Sequence, residues 1–232
     1  PAQIAWDYNQ GAPIGWWKFD ECQGSIAHDS SGIGNTGAIV IGASGTQTSV
    51  GTCTTSGTAW GVGATGKINS SLGFDGTDDY IQIPNIISGD NTHTILFWAK
   101  PTSYNKVWID MSGDSGYSFV QISPTNLYVG YSPTTPSYRT YAYTFNLNNW
   151  YHIAISKNNT GNNVNVYVNG NLLNVYTGSV GDMNSGSIIY LGKFHNNGYN
   201  IGGQLDDARI YNYALTTEQI KQIYNGGAIN FN

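Results

Sequence analysis

From residue 72 onward, apolar and polar positions alternate in short runs separated by turn chemistry. The clearest is Asn163-Val164-Asn165-Val166-Tyr167-Val168, whose period of two puts three valines on one face of a strand. Asn169-Gly170 follows directly, and Asn-Gly between strand-like runs is the strongest local signal for a type I′ hairpin. Comparable runs are Thr92–Lys100, Lys106–Met111, Tyr117–Ile122, Asn126–Tyr131, Arg139–Phe145, Trp150–Lys157, Asn171–Tyr176, Ser187–Gly192 and Gly203–Tyr211. Many short strands at this spacing predict an all-β, two-sheet antiparallel sandwich of the jelly-roll kind.

One helix interrupts the pattern, near residues 217–225. Thr216 is its N-cap, Gln219 returns the bond three residues on, and Leu215 and Ile220 form a hydrophobic staple. Gly226-Gly227 ends it. Upstream, residues 1–15 read as a lead-in and 16–232 as one domain. Within that domain, residues 22–71 are a long irregular excursion, rich in Gly, Ser and Thr and poor in apolar anchors.

Composition narrows the possible partners. Charged residues are 10% of the chain, and the nine Lys and Arg are scattered singly, so no basic stripe exists to neutralise nucleic-acid phosphates. Glu21 and Glu218 are the only Glu among fourteen acidic residues; the Asp bias fits a loop-rich β protein. No apolar run is long enough to span a bilayer, and no signal peptide precedes Pro1, so the chain reads as a mature or excised piece. Cys22 and Cys53 flank the Gly/Ser/Thr-rich excursion. Two free thiols are the alternative to a disulfide bracing it; the disulfide is the reading adopted, and it places the chain in an oxidising compartment.

Five motifs carry a resemblance. Trp17-Lys18-Phe19-Asp20-Glu21 with His28-Asp29-Ser30-Ser31-Gly32 resembles the opening of laminin-G-like jelly-roll domains. Leu72-Gly73-Phe74-Asp75-Gly76-Thr77-Asp78-Asp79-Tyr80 resembles their second signature turn. Trp150-Tyr151-His152-Ile153-Ala154 and Tyr167-Val168-Asn169-Gly170 resemble the central pair, and Gly203–Leu215 the closing strand. The resemblance spans residues 16–224 and implies a concanavalin A-like lectin/glucanase sandwich. The lead-in also resembles that of bacterial cell-surface and pilin-like proteins.

The resemblance implies a structural calcium ion between the first loop and the last strand. Asp29 and Asn35 would supply oxygens from the loop, and one of Asp206 and Asp207 from the strand, since neighbours on a strand face opposite ways. The alternative is an Asx-turn at Asp29 with an Asp207–Arg209 ion pair. Asp75–Asp79 reads as a simple hairpin turn. His152 reads as a satisfied strand histidine. Glycoside hydrolysis needs a suitably spaced carboxyl pair, but no E-x-D-x-E run occurs, so no catalytic residue is expected. Gly113-Asp114-Ser115-Gly116 lacks the setting of a serine-hydrolase elbow.

Sugar recognition combines aromatic platforms with amide and backbone hydrogen bonds. Tyr104, Trp108, Tyr138, Tyr141, His195 and Tyr199 have that composition. The expected function is therefore a secreted or cell-surface, non-catalytic, lectin-like module for carbohydrate or another surface protein. A self-associating structural or adhesive subunit of a filament is the alternative.

Overall fold

The computed structural model describes residues 11–87, 92–112, 118–130, 138–161, 163–177, 187–196 and 198–226. Strands β1 (Gly15–Trp17), β2 (Ile26–Ala27) and β3 (Gly37–Val40) precede helix α1 (Ala59–Val62). Next come β4 (Leu72–Asp75), β5 (Tyr80–Pro84), β6 (His93–Pro101), β7 (Lys106–Asp110), β8 (Phe119–Ile122), β9 (Asn126–Gly130) and β10 (Tyr138–Ala142). The chain ends through β11 (Tyr151–Asn158), β12 (Asn163–Val168), β13 (Asn171–Thr177), β14 (Ile188–Leu191), β15 (Gly202–Tyr211) and α2 (Thr217–Tyr224).

These strands form two antiparallel sheets. The first runs β1-β15-β6-β11-β12-β13, with β4 also paired to β15; the second runs β10-β9-β8-β7-β14-β5-β3-β2. The all-β jelly-roll sandwich is thus the observed architecture. Ile14 already bonds to Ile210 and β1 starts at Gly15, so the expected boundary after residue 15 falls inside the first strand. Trp6 and Tyr8 of the lead-in, and the Gly113–Gly116 segment, lie outside the described residues.

Alternation sorts side chains between the layers. Val164, Val166 and Val168 are buried in the core between the sheets, with Phe97, Ile153 and Ile155 of the neighbouring strands. Leu96, Ala154 and Tyr167, one position away on the same strands, face outward and pack under Leu215 and under Ile220 and Ile223 of α2. Each buried Val, Leu, Ile or Phe among these contributes on the order of 2 kcal/mol. The capping box is complete: Thr216 accepts from the Gln219 amide, and the Gln219 side chain accepts from the Thr216 amide. Asn169 (φ 52°) and Gly170 (φ 73°) are both left-handed, as a type I′ turn requires.

Three local readings need correction. The excursion of residues 22–71 is more ordered than its composition implies. It contains α1, capped by Thr58, and Trp60 is fully buried with its indole N–H on the Gly24 carbonyl at 2.8 Å. The Cys22–Cys53 disulfide is formed and closes this segment. The Asp75–Asp79 turn is not a hairpin between paired strands, because β4 lies in the first sheet and β5 in the second. Its carboxylates instead hold the excursion: Asp75 accepts from the amides of Thr46 and Gln47, Asp78 from Ser44, and Asp79 from Gly42. His152 is buried as expected, but neither ring nitrogen has a hydrogen-bond partner.

Candidate functional site

The second sheet carries an aromatic groove on its outer face. In β8, Val120 and Ile122 point into the core, so Phe119 and Gln121 point out. In β9, Leu127 and Val129 point in and Tyr128 points out. Tyr138 at the start of β10 completes a row across three strands. The β14–β15 connection adds Phe194, Asn196 and Tyr199, and the β6–β7 turn adds Asn105, enclosing a groove of about 430 Å³.

The rings hold one another in place. Phe194 meets Phe119 edge to face, with centroids 5.7 Å apart, and Tyr199 meets Phe194 likewise at 6.2 Å. Tyr138 packs edge to face on Tyr128 at 5.7 Å. Such pairs contribute roughly 0.5–1.5 kcal/mol beyond area burial. Tyr199 sits at φ 59°, and its carbonyl accepts from the Val107 amide at 2.9 Å, which fixes the connection to β7. Even so, Tyr138 and Tyr199 remain 44% and 56% exposed. Two tyrosines are thus half-exposed on a base of packed rings.

Of the six residues expected to bind ligand, Tyr138 and Tyr199 line this groove. His195 lies beside it, its ring 4.2 Å from that of Phe194. Three others require correction. Trp108 is fully buried in the core against Phe97, because a register shift between Val107 and Ile109 turns both Trp108 and Ile109 inward. Tyr141 points into the core three residues after Tyr138, on the opposite face of β10. Tyr104 packs against that core and donates its hydroxyl to the Phe145 carbonyl at 2.8 Å. Phe119, Gln121, Tyr128 and Phe194 were missed. Their alternation with Val120, Ile122, Leu127 and Val129 could have placed the first three on one face.

Behind the groove, the Asp110 carboxylate is fully buried. One oxygen accepts from the Ser112 hydroxyl and amide, the other from the His195 amide at 2.7 Å, with His195 Nδ1 at 2.9 Å. The carboxylate thus lies between hydroxyl and imidazole. A serine nucleophile needs the imidazole on the hydroxyl, so this arrangement does not activate Ser112.

The residues expected to hold calcium do not fit it. Asp29 spends both oxygens within the protein. Oδ1 accepts from the Trp16 and Ser31 amides, and Oδ2 from the Ser31 hydroxyl and the Gly34 and Asn35 amides. Burial opposes its ionisation, but these donors outweigh burial and hold its pKa below the usual carboxylate value. The Asn35 side chain donates to the Ile14 carbonyl. Asp207 pairs with Arg209 at 2.8 Å and accepts from the Trp16 indole. Asp29, Asp206 and Asp207 do not bring their oxygens within 4.8 Å of one another. Among the described residues, the one group of three that does is Asp75, Asp78 and Asp79.

The expectation that Asp206 and Asp207 face opposite ways also fails. A bulge between Asp206 and Arg209, with Asp207 at φ 49°, turns both toward one cavity of about 530 Å³, where Trp16, Lys18 and Asp20 also lie. Asp206 is fully buried there. Burial raises its pKa to about 7, against the amides of Ile68 and Lys67 that bond to Oδ2. Its Oδ1 has no partner.

Comparisons with known proteins agree on the fold. The family model Laminin_G_3, of the concanavalin A-like lectin/glucanases superfamily, matches residues 75–221. Domain 4 of AbnA, a GH43 extracellular arabinanase from Geobacillus stearothermophilus solved in complex with arabinotriose, superposes with TM-score 0.64 at 21% identity, covering 92% of this chain and 98% of that one. The receptor binding domain of botulinum neurotoxin D gives TM-score 0.65 at 16% identity, covering 93% of this chain and 52% of its own. A botulinum neurotoxin type C structure, described as showing cell entry dependent on two ganglioside molecules, gives TM-score 0.66 at 13% identity, covering 96% and 53%. The chain therefore spans about half of the two toxin structures. No curated protein sequence matches it.

Proposed function

Since the chain belongs to the concanavalin A-like lectin/glucanase superfamily, we propose that it is a non-catalytic carbohydrate-binding module working outside the cell, with its sugar site in the aromatic groove. The observation that carries this reading is the pair of exposed rings, Tyr138 and Tyr199, seated on Phe119, Tyr128 and Phe194. A sugar presents C–H faces to such rings and hydroxyls to neighbouring amides. Asn105, Gln121 and Asn196 supply those amides at the same groove. The arabinotriose and ganglioside named for two structural neighbours are of the same ligand class. The non-catalytic part rests on the described residues of the groove lining, among which no carboxylate stands to act as acid, base or nucleophile. The extracellular part rests on the Cys22–Cys53 disulfide. No helix among the described residues is long and apolar enough to cross a membrane.

The test is a glycan array followed by calorimetry on the best ligand. Tyr138→Ala and Tyr199→Ala are expected to weaken binding tenfold or more, about 1.4 kcal/mol each, while the loss of one ring pair of about 1 kcal/mol lowers the melting temperature by only about 2–4 °C. Undiminished binding by both variants would move the site elsewhere.

Self-association is a second reading with one observation in its favour. Edge strand β13 carries no charged residue and exposes Leu172 and Val175, which leaves it open to pairing with another chain. Light scattering across a concentration series tests it, and a monomer at every concentration rejects it.

A further inference from the structure

We infer that the aromatic groove selects uncharged sugars and discriminates against acidic ones, an inference that rests on the carbohydrate reading above. Among the described residues its lining combines aromatic rings, Val107 and the amides of Asn105, Gln121 and Asn196, with no Lys, Arg, His, Asp or Glu. A carboxylated sugar entering it would lose water without meeting a cation, which is costly for an ionised group. A neutral sugar pays no such cost, because side-chain amides can both donate to and accept from its hydroxyls.

Three charged groups that flank the groove, Arg139, Lys193 and Asp110, are engaged elsewhere. Arg139, next to Tyr138 on β10, reaches β13 instead: its guanidinium lies 4.7 Å over the Tyr176 ring and donates to the Tyr176 hydroxyl at 3.1 Å. Lys193, just before Phe194, has its ammonium 3.7 Å from the Tyr80 ring centre and 4.4 Å from that of Tyr190. Asp110 is fully buried and held by Ser112 and His195. Alternation along β10 and the chain reversal after β14 thus aim both cations away from the ring face. Among the described residues what remains is a polar but uncharged lining, and charge-assisted recognition of a carboxylate or sulfate would need an Arg or Lys within it.

The experiment compares matched oligosaccharide pairs that differ only in charge. Glucose oligomers are set against their uronate counterparts, and galactose-terminated glycans against their sialylated forms, at low and high salt. The neutral member is expected to bind at least tenfold more tightly, with affinity unchanged by salt. Gln121→Arg is expected to narrow that gap by binding the acidic member better. Tighter binding of acidic members, lost in Tyr138→Ala and weakened by salt, overturns this inference while leaving the carbohydrate reading intact. A blank array for neutral and acidic sugars alike overturns the carbohydrate reading, and this inference with it.

Discussion

The Trp16 amide donates to the Asp29 carboxylate across 2.9 Å, and through that bond β1 holds the loop that begins at Asp29. Few apolar side chains anchor this loop, so ordering it needs another source of free energy. The carboxylate supplies it by accepting from Trp16, Ser31, Gly34 and Asn35, with no cation required. Chelation with EDTA should therefore leave the melting temperature unchanged. Asp29→Ala should lower stability by about 2 kcal/mol, roughly 4–8 °C in a domain of this size. An EDTA-sensitive melt abolished by Asp29→Ala would restore the calcium ion.

The Cys22–Cys53 disulfide closes a loop with a sequence separation of 31. In the chain-entropy model such a cross-link contributes about 3 kcal/mol by restricting the unfolded chain. The Cys22→Ser/Cys53→Ser double variant should melt roughly 6–12 °C lower while keeping the sandwich, because the core between the sheets is built mostly outside that loop. Peptide mapping without reductant should recover the linked pair, and two free thiols would contradict it.

His152 makes the fold acid-sensitive. Burial, aided by the charge of Arg209, lowers its pKa from 6.5 to about 3. The unfolded chain takes up the proton first, so the stability conferred by the neutral ring is complete above pH 6.5. It is lost as pH falls from 6.5 toward 3, at about 1.4 kcal/mol per unit. The ring packs edge-on and tilted against Trp98 and Tyr224 with no hydrogen bond to lose. His152→Phe should accordingly flatten urea-derived stability across this range. An equally steep acid loss in the variant would assign the effect to other groups.

Asp206 acts in the opposite direction. Its pKa is raised from 3.8 to about 7, chiefly by burial, so the stability tied to its protonated form is complete below pH 3.8. That contribution is lost as pH rises toward 7. Asp206→Asn keeps an oxygen for the Lys67 and Ile68 amides and removes the charge. The variant should gain stability over wild type near pH 7 and lose that advantage near pH 4. A variant less stable than wild type at neutral pH would show that the charge is compensated.

Sequence alone determined what depends on local period and on chemistry within a few residues. The buried valines of β12, the Asn169-Gly170 turn and the Thr216–Gln219 capping box each involve neighbours in the chain, so backbone geometry and composition suffice to read them. Pairing Cys22 with Cys53 needed only two cysteines and a loop between them. Tertiary structure decided which aromatic residues are sites and which are core. Single register shifts, at Val107/Ile109 and at Asp206/Arg209, buried Trp108 and turned Asp206 and Asp207 to one side. A bulge is set by the fit of a strand to its partners across the sheet, so a period of two cannot reveal where it breaks. The groove likewise joins β8, β9 and β10 to the connection between β14 and β15, far along the chain. Only the packing of those elements brings Tyr138 and Tyr199 to one surface.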